Sequence, residues 1–400
     1  MGRVVPLRRL TPAASALAWG LQFSLLSPTI ALILVEVYGA SLGQVGGILI
    51  VYNAAAFVLS LVVPVYADRS GDYARPLLVS GVSGLALAVT LLLTTGLSAA
   101  AIALVALGGL AGVGMSLFWG LLRSDGVRPA AIIRVRSLFS IAWIAGPPLA
   151  AFVMGAYGPR SVLAVMAVVA ACGLAITWSL VGGRRPARTP AADPEPMRVS
   201  GPLVAVVVGG FVLLQATNAA SVAIMTLFVR DGLGLDVTWA GAALGLAAGL
   251  EVPALFLLGR LIGRFSSTAL VASGCLAGIV YYGCMPFVTG PWALLGLQAA
   301  NAYFYAVVAG VGLTWFGEVI PGAAFAAGLY ATTGRLGSIV SGALVALASV
   351  SPLGYSTVFA VSAVLVAIVA ALVVWAGVRD ARITGGRPRP SDPGSPEEPA

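Results

Sequence analysis

Three charged residues lie within or at the end of hydrophobic runs, where they could carry protons or form ion pairs. Glu251 lies in the run 238–258, Arg335 in the run 325–348, and Glu36 ends the run 12–36. A carboxylate inside a membrane can take up and release a proton, the usual coupling device of pumps and exchangers. We predict that these three residues couple transport to protons. A static ion pair between Glu251 and Arg335, and a gating or snorkelling role for Glu36, are the alternatives.

A second set of residues in the hydrophobic runs is polar but uncharged. Amides bond hydroxyl groups, and aromatic faces pack against the C–H surfaces of sugars, so this set predicts a site for a neutral polyhydroxylated ligand. The alternative is that the amides join neighbouring helices by hydrogen bonds. The set comprises Gln22, Asn53, Trp119, Trp143, Gln215, Asn218, Gln298, Asn301 and Tyr305.

The elements that must position these residues are membrane helices. The chain is 60% hydrophobic and 9% charged, with a mean hydropathy of +1.02, and a soluble domain could not cover so much apolar surface. Crossing a bilayer takes about 20 apolar residues in a helix. We therefore predict an all-α membrane protein with twelve spans, at 12–36, 44–65, 76–95, 99–121, 134–155, 159–181, 201–227, 238–258, 268–288, 291–316, 325–348 and 355–377.

The arginines predict the orientation of these spans. All 22 basic residues are arginine, and 19 of them fall on one side if the N-terminus is cytoplasmic. Arg160 and Arg230 fall on the other side, and Arg335 lies within a span. The positive-inside rule therefore places both termini in the cytoplasm. The net charge of +8 reflects this topology and lipid contacts, and nucleic-acid binding is excluded.

A charged loop between the second and third spans recurs in the second half of the chain. The segment 64–72 contains Asp68, Arg69 and Gly71, and the segment 259–266 places Arg264 where the first copy has Arg69. Such a repeat predicts a transporter built from two related six-helix halves, with this loop as a gate.

The boundaries of the halves follow from composition. We predict an N-terminal half at 1–181, a Pro-rich and charged cytoplasmic linker at 182–200, a C-terminal half at 201–377 and a disordered cytoplasmic tail at 378–400.

The fifth span contains a Gly-Pro-Pro segment, Gly146, Pro147 and Pro148. Proline removes a backbone hydrogen bond, so this segment predicts a helix hinge or, alternatively, a kink required only for packing. The chain has no His, and its three Cys lie within hydrophobic runs, so we expect neither a metal nor a cofactor.

These motifs resemble two nested families. The Asp68-Arg69-Ser-Gly71 loop is similar to the signature loop of the major facilitator superfamily, although Pro64 stands where Gly is usual and Gly263 where Asp would stand in the second copy. Four segments, at 140–150, 247–253, 308–312 and 315–322, resemble the bacterial sugar efflux transporters, as do Gln298 and Asn301. Arg335 departs from that family, in which a neutral residue is expected there.

The resemblance implies the major facilitator fold, with two pseudo-symmetric six-helix halves, and export of sugars or glycosides in exchange for protons. The proton gradient would be the only energy source, the bacterial inner membrane the location, and a monomer the working unit. A multidrug or antibiotic exporter of the same fold is the nearest alternative. A membrane-embedded enzyme is disfavoured because the chain lacks His, a paired catalytic carboxylate and a soluble catalytic loop.

Overall fold

The computed structural model describes residues 11–124, 129–181, 202–320 and 323–384. Within these residues the chain forms twelve helical spans that correspond in order to the twelve predicted runs. Those of the first half are α1 (Thr11–Leu26 and Ile30–Glu36), α2 (Leu42–Ser70), α3 (Ala74–Leu93), α4 (Leu97–Ala103, a π-helical turn Leu104–Gly108, Gly109–Ala111 and Gly114–Ser124), α5 (Pro129–Tyr157) and α6 (Ser161–Val181).

The second half repeats this arrangement. Its spans are α7 (Pro202–Leu227 and a π-helical turn Phe228–Gly232), α8 (Thr238–Leu261), α9 (Ser267–Cys284 and a 3₁₀ turn Met285–Phe287), α10 (Pro291–Ala306, a π-helical turn Val307–Val311 and Gly312–Val319), α11 (Ala323–Leu347) and α12 (Ser356–Thr384). The last helix continues past residue 377, where we predicted its end. The predicted linker 182–200 lies outside the described residues.

These helices make the chain a multi-pass membrane protein. Nine helices in the described residues are long and apolar enough to cross a membrane, and the two parts of α1 make a tenth. The remaining two spans are α5 and α11. Large apolar side chains such as Leu93, Phe256 and Trp178 are exposed on the surface, as expected for groups that face lipid.

Helix α1 is bent, whereas the sequence predicts one continuous span. Its two parts meet at 47° around Pro28, which cannot donate a backbone hydrogen bond to the preceding turn. The bend frees the Pro28 carbonyl, which accepts a hydrogen bond from Thr226 Oγ1 of α7 at 2.8 Å. A polar group that the bend exposes in the membrane is thus satisfied by the other half of the protein.

Helix packing follows a pattern that repeats after six helices. In the first half, α1 packs against α5 and α6, and α3 packs against α6; in the second half, α7 packs against α11 and α12, and α9 against α12. The largest contacts between the halves are α2 with α11 and α5 with α8, which are also related by this repeat. The bundle therefore consists of two pseudo-symmetric six-helix halves.

The contacts between the halves concentrate at one end of the bundle. We call the end that carries the α1–α2 and α11–α12 connections the outer end, after the orientation that the arginines predict, and the opposite end the inner end. A Cβ on Gly46 of α2 would lie 2.5 Å from the Gly342 carbonyl oxygen of α11. One on Gly241 of α8 would lie 2.7 Å from the Pro147 carbonyl oxygen of α5. Only glycine lets these backbones approach so closely.

Candidate functional site

The predicted hinge of α5 lies where this helix contacts both halves. A Cβ on Gly146 would clash with Ser24 Oγ of α1, so α1 and α5 touch at this glycine. In the other half, Gly245 of α8 lies against Pro148 of α5. A Cβ on Gly245 would lie 2.6 Å from the ring of this proline. Helix α5 continues through both prolines. The segment thus forms packing surfaces toward α1 and α8, and its motion as a hinge stays a prediction.

Asn53 joins the two halves directly. Its Nδ2 donates a hydrogen bond of 2.9 Å to the Ser338 carbonyl oxygen of α11, and its side chain is half-buried. On the same two helices, this hydrogen bond lies closer to the inner end than the contact between Gly46 and Gly342. Asn53 therefore extends the contact between α2 and α11 toward the inner end.

Gln22 lies inside the N-terminal half. A Cβ on Gly84 of α3 would lie 2.9 Å from Gln22 Oε1, and one on Gly173 of α6 would lie 3.1 Å from Gln22 Nε2. The amide therefore fills the space between α1, α3 and α6. This position fits the helix-joining alternative, and ligand contact by Gln22 stays a prediction.

Gln298 and Asn301 bond to one another within α10. Gln298 Nε2 donates to the Leu294 carbonyl oxygen at 3.0 Å, and Asn301 Nδ2 donates to Gln298 Oε1 at 3.1 Å. Both side chains are buried. Asn301 Oδ1 has no hydrogen-bond partner among the described residues, which leaves an acceptor available in the interior of the C-terminal half.

The other predicted ligand-binding residues are only partly buried. Gln215 of α7 lies against α11, where a Cβ on Gly337 would lie 2.7 Å from Gln215 Cβ. Trp119 of α4 packs edge-on against Phe118, with 5.0 Å between ring centroids. Asn218 of α7 and Trp143 of α5 are half-buried. The structure thus distributes the predicted set over the interface and over the interiors of both halves.

Glu251 and Tyr305 lie within electrostatic range of one another in the C-terminal half. Tyr305, on α10, interacts electrostatically with Glu251 of α8 and with Tyr330 of α11. Glu251 is half-buried, about 15 Å from the inner end of α8 at 1.5 Å per residue. The ion pair of Glu251 with Arg335, the alternative to a coupling role, is absent among the ion pairs of the described residues.

Arg335 reaches the N-terminal half instead. Its Nη2 lies 3.3 Å from Ser116 Oγ of α4 and donates to this hydroxyl. The guanidinium is half-buried and lies midway along α11.

Glu36 takes part in an ionic cluster at the outer end. Arg230 Nη1 of α7 lies 2.7 Å from Glu36 Oε1, and Arg230 Nε lies 3.7 Å from Asp231 Oδ1. Tyr355 donates from its hydroxyl to Asp231 Oδ2 at 3.1 Å. Burial, followed by the charge of Asp231, raises the pKa of Tyr355 to about 12, so this hydroxyl remains a donor at physiological pH. The cluster connects α1, α7 and the α11–α12 connection.

A pocket of about 470 Å³ opens beside this cluster, between the two halves. Its lining includes Glu36, Arg230 and Asp236, together with Met154 of α5 and Leu32 of α1. Hydrogen bonds from the hydroxyl and the backbone amide of Thr238 lower the pKa of Asp236, so this wall of the pocket stays anionic.

The two copies of the predicted gate loop differ in structure. In the first copy α2 continues to Ser70 and ends at Gly71, which has a φ of 67°, so Arg69 lies in the last helical turn. In the second copy α8 ends at Leu261, and Gly263 takes the left-handed conformation with a φ of 89°. Arg264 therefore lies in a turn, and it matches Arg69 in sequence but not in conformation. The Tyr73 hydroxyl donates to Asp68, within the N-terminal half.

Comparison with known proteins identifies the family. The profile of the Major Facilitator Superfamily matches residues 13–341. Sugar efflux transporter A of Dickeya chrysanthemi is 34% identical over 213 residues, 52% of this chain and 54% of that protein. This chain therefore spans about half the length of that relative. A putative sugar efflux transporter of Deinococcus radiodurans is 30% identical over 381 residues, 90% of this chain and 96% of that protein.

Solved structures agree in fold. The crystal structure of the nucleoside transporter NupG superposes with a TM-score of 0.79 over 93% of this chain and 99% of that one, at 14% sequence identity. Because the profile covers most of this chain and the Deinococcus relative covers nearly all of it, the chain belongs to the Major Facilitator Superfamily and, within it, to the sugar efflux transporter family.

Proposed function

We propose that this protein is a secondary active transporter that exports sugars or glycosides across the cytoplasmic membrane in exchange for protons. The two halves would rock about a central site, opening one side of the membrane at a time. The relatives named as sugar efflux transporters support the substrate class. They also favour a transporter over an enzyme, as the sequence does.

The observation that carries the proposal is the one-sided contact between the halves. Glycine approaches and the Glu36–Arg230 ion pair join the halves at the outer end. At the inner end, the Asp68 carboxylate of the gate loop bonds Tyr73 of its own half. This arrangement fits a state closed to the outside, and the gate loop would join the halves in the opposite state.

The coupling residue we propose is Glu251. It is the one carboxylate in the interior of a predicted span, because Glu36 and Glu318 lie at helix ends. Such a group in the membrane marks a proton path by default. Tyr305 of α10 lies within electrostatic range of this carboxylate.

The cellular setting follows from the predicted orientation. We place the protein in the bacterial inner membrane as a monomer, with both termini in the cytoplasm. The inner end of the bundle, with Asp68 and Arg69, then faces the cytoplasm. Sugar would enter from that side in the state described here.

Inverted membrane vesicles loaded with a pH-sensitive dye test the proposal. The full chain is exposed to a panel of sugars and glycosides under an imposed proton gradient, and proton movement is recorded. We expect sugar-dependent release of protons from the lumen, which is absent from vesicles lacking the protein.

Lipophilic drugs are the comparison in the same vesicles. Proton release with lipophilic cations but not with sugars would replace sugar export by multidrug efflux. Chemical change of the labelled sugar during uptake would instead indicate an enzyme.

A further inference from the structure

Arg335 lies on the face of α11 that is turned to the other half. Residues 335, 338 and 342 follow the spacing i, i+3, i+7, which places them on one side of a helix. Ser338 accepts the hydrogen bond from Asn53 of α2, and Gly342 touches the backbone of α2. Arg335 continues this face toward the inner end, where its Nη2 reaches Ser116 of α4.

Close packing fixes the rotation of α11 about its axis. On a different side of the helix, a Cβ on Gly337 would lie 2.9 Å from the backbone nitrogen of Ala216 of α7. A Cβ on Gly334 would lie 3.6 Å from Gln215 Nε2. These contacts hold Gly334 and Gly337 against α7, so α11 cannot turn Arg335 away from the space between the halves.

Among the side chains that the structure describes, the guanidinium forms no ion pair in this position. Glu251, the other charged residue in the interior of a predicted span, is not its partner among these side chains. A charge at mid-membrane is costly and requires water or a partner. Arginine remains charged and carries five N–H donors, of which the neutral Ser116 hydroxyl accepts from one.

A planar fork of donors suits a carboxylate or a phosphate, each of which can accept two parallel hydrogen bonds. We propose that Arg335 binds an oxyanion on the transported sugar, so that the substrates are acidic sugars or glycosides. Ser116 of α4 contacts the guanidinium, and Asn53 of α2 contacts the same face of α11 at Ser338, so both can bond the sugar hydroxyls. The inference rests on the proposed sugar transport and specifies its substrate class.

Matched ligands with and without the negative charge test the inference. The full chain is reconstituted in lipid nanodiscs, and binding of methyl β-glucuronide, glucose 6-phosphate and methyl β-glucoside is measured by calorimetry. We expect at least one of the two acidic ligands to bind about tenfold or more tightly than the glucoside, as charge-assisted hydrogen bonds would give. The preference should vanish in Arg335→Gln and persist in part in Arg335→Lys.

A second arginine serves as the control. Arg160 is exposed at the outer end and donates to the Thr94 carbonyl oxygen, so Arg160→Gln should retain the preference for the acidic ligand. Thermal unfolding of each variant verifies that the bundle is intact. Equal loss of glucoside and acidic-ligand binding in a folded Arg335→Gln variant would make Arg335 a structural residue and overturn the inference.

The remaining outcomes separate this inference from the proposed function. Tighter binding of the glucoside than of both acids, or an acid preference that survives in Arg335→Gln, overturns the oxyanion site and leaves sugar transport intact. Failure of all three ligands to bind, together with binding of a lipophilic cation, overturns both.

Discussion

Arg230 of α7 and Glu36 of α1 form an ion pair of 2.7 Å that joins the two halves at the outer end of the bundle. Their side chains are 38% and 29% exposed, so water screens the pair in part. Beside it, the Thr226 hydroxyl bonds Pro28 at the bend of α1. One neutral hydrogen bond and one ion pair thus hold the outer ends of α1 and α7 together.

Removing the ionic contact should open the outer end in part of the population. A partly exposed pair contributes about 0.2–1 kcal/mol, which corresponds to at most about a fivefold shift between two states. We expect Glu36→Gln to increase the ratio of outward-open to outward-closed protein by up to about fivefold. Spin labels are placed on Tyr157→Cys and Val350→Cys, at exposed outer positions of the two halves. Pulsed EPR then measures the distance between the halves at the outer end.

A double-mutant cycle tests whether the pair acts as a pair. Arg230→Gln should produce a similar shift, and the double variant should add little to either single change. Fully additive effects would show that Glu36 and Arg230 act independently.

The glycine contact between α2 and α11 gives a sharper test of closure. A Cβ on Gly46 would lie 2.5 Å from the Gly342 carbonyl oxygen, whereas one on the adjacent Gly47 meets nothing within 4 Å. Gly46→Ala should force the helices apart, at a cost of about 1–3 kcal/mol for overpacking, and should favour the outward-open state. Gly47→Ala is the matched control.

The same spin-label distance measures both glycine variants. We expect a longer outer distance in Gly46→Ala and an unchanged one in Gly47→Ala. An unchanged distance in Gly46→Ala would mean that the contact does not limit opening.

The sequence predicts the helices well because hydropathy depends on local composition, and all twelve predicted runs correspond to helical spans. It could not predict the partners of the polar residues, because these depend on helix rotation and on contacts far apart in the chain. Gln298 and Asn301 are three residues apart and so lie on one side of α10, yet that side turns into the C-terminal half, where they bond to each other.

The sequence does not predict the partner of Glu36, although the distribution of the arginines points to it. Arg230 is one of two arginines that violate the predicted charge asymmetry, and it pairs with Glu36 at the outer end. The other, Arg160, donates to the Thr94 carbonyl oxygen. Both arginines on the unexpected side of the membrane therefore have polar partners among the described residues.

The gate loop provides a test at the inner end. Asp68 is exposed and accepts a hydrogen bond from Tyr73 in this structure. If Asp68 joins the halves when the inner end closes, Asp68→Ala should reduce sugar transport severely, because the cycle cannot pass through the inward-closed state. Expression and thermal unfolding should remain near those of the unmodified protein.

A conservative change distinguishes the carboxylate from its local bond. Tyr73→Phe removes the hydroxyl that bonds Asp68 and leaves the charge, so transport should fall much less than in Asp68→Ala. Normal transport by Asp68→Ala, measured as uptake of labelled sugar into inverted vesicles, would remove the gate role.

Proton coupling through Glu251 is the last prediction. Glu251→Gln keeps the size of the side chain but cannot release a proton, so a pH gradient should no longer drive uphill sugar movement. Exchange of labelled for unlabelled sugar at equal pH needs no net proton transfer and should continue. Glu318→Gln is the control, because Glu318 lies at the inner end of α10 and accepts a hydrogen bond from Ser267 at 2.7 Å. Proteoliposomes measure both reactions for each variant, and a Glu251→Gln protein that still concentrates sugar against its gradient would leave Glu251 a structural residue.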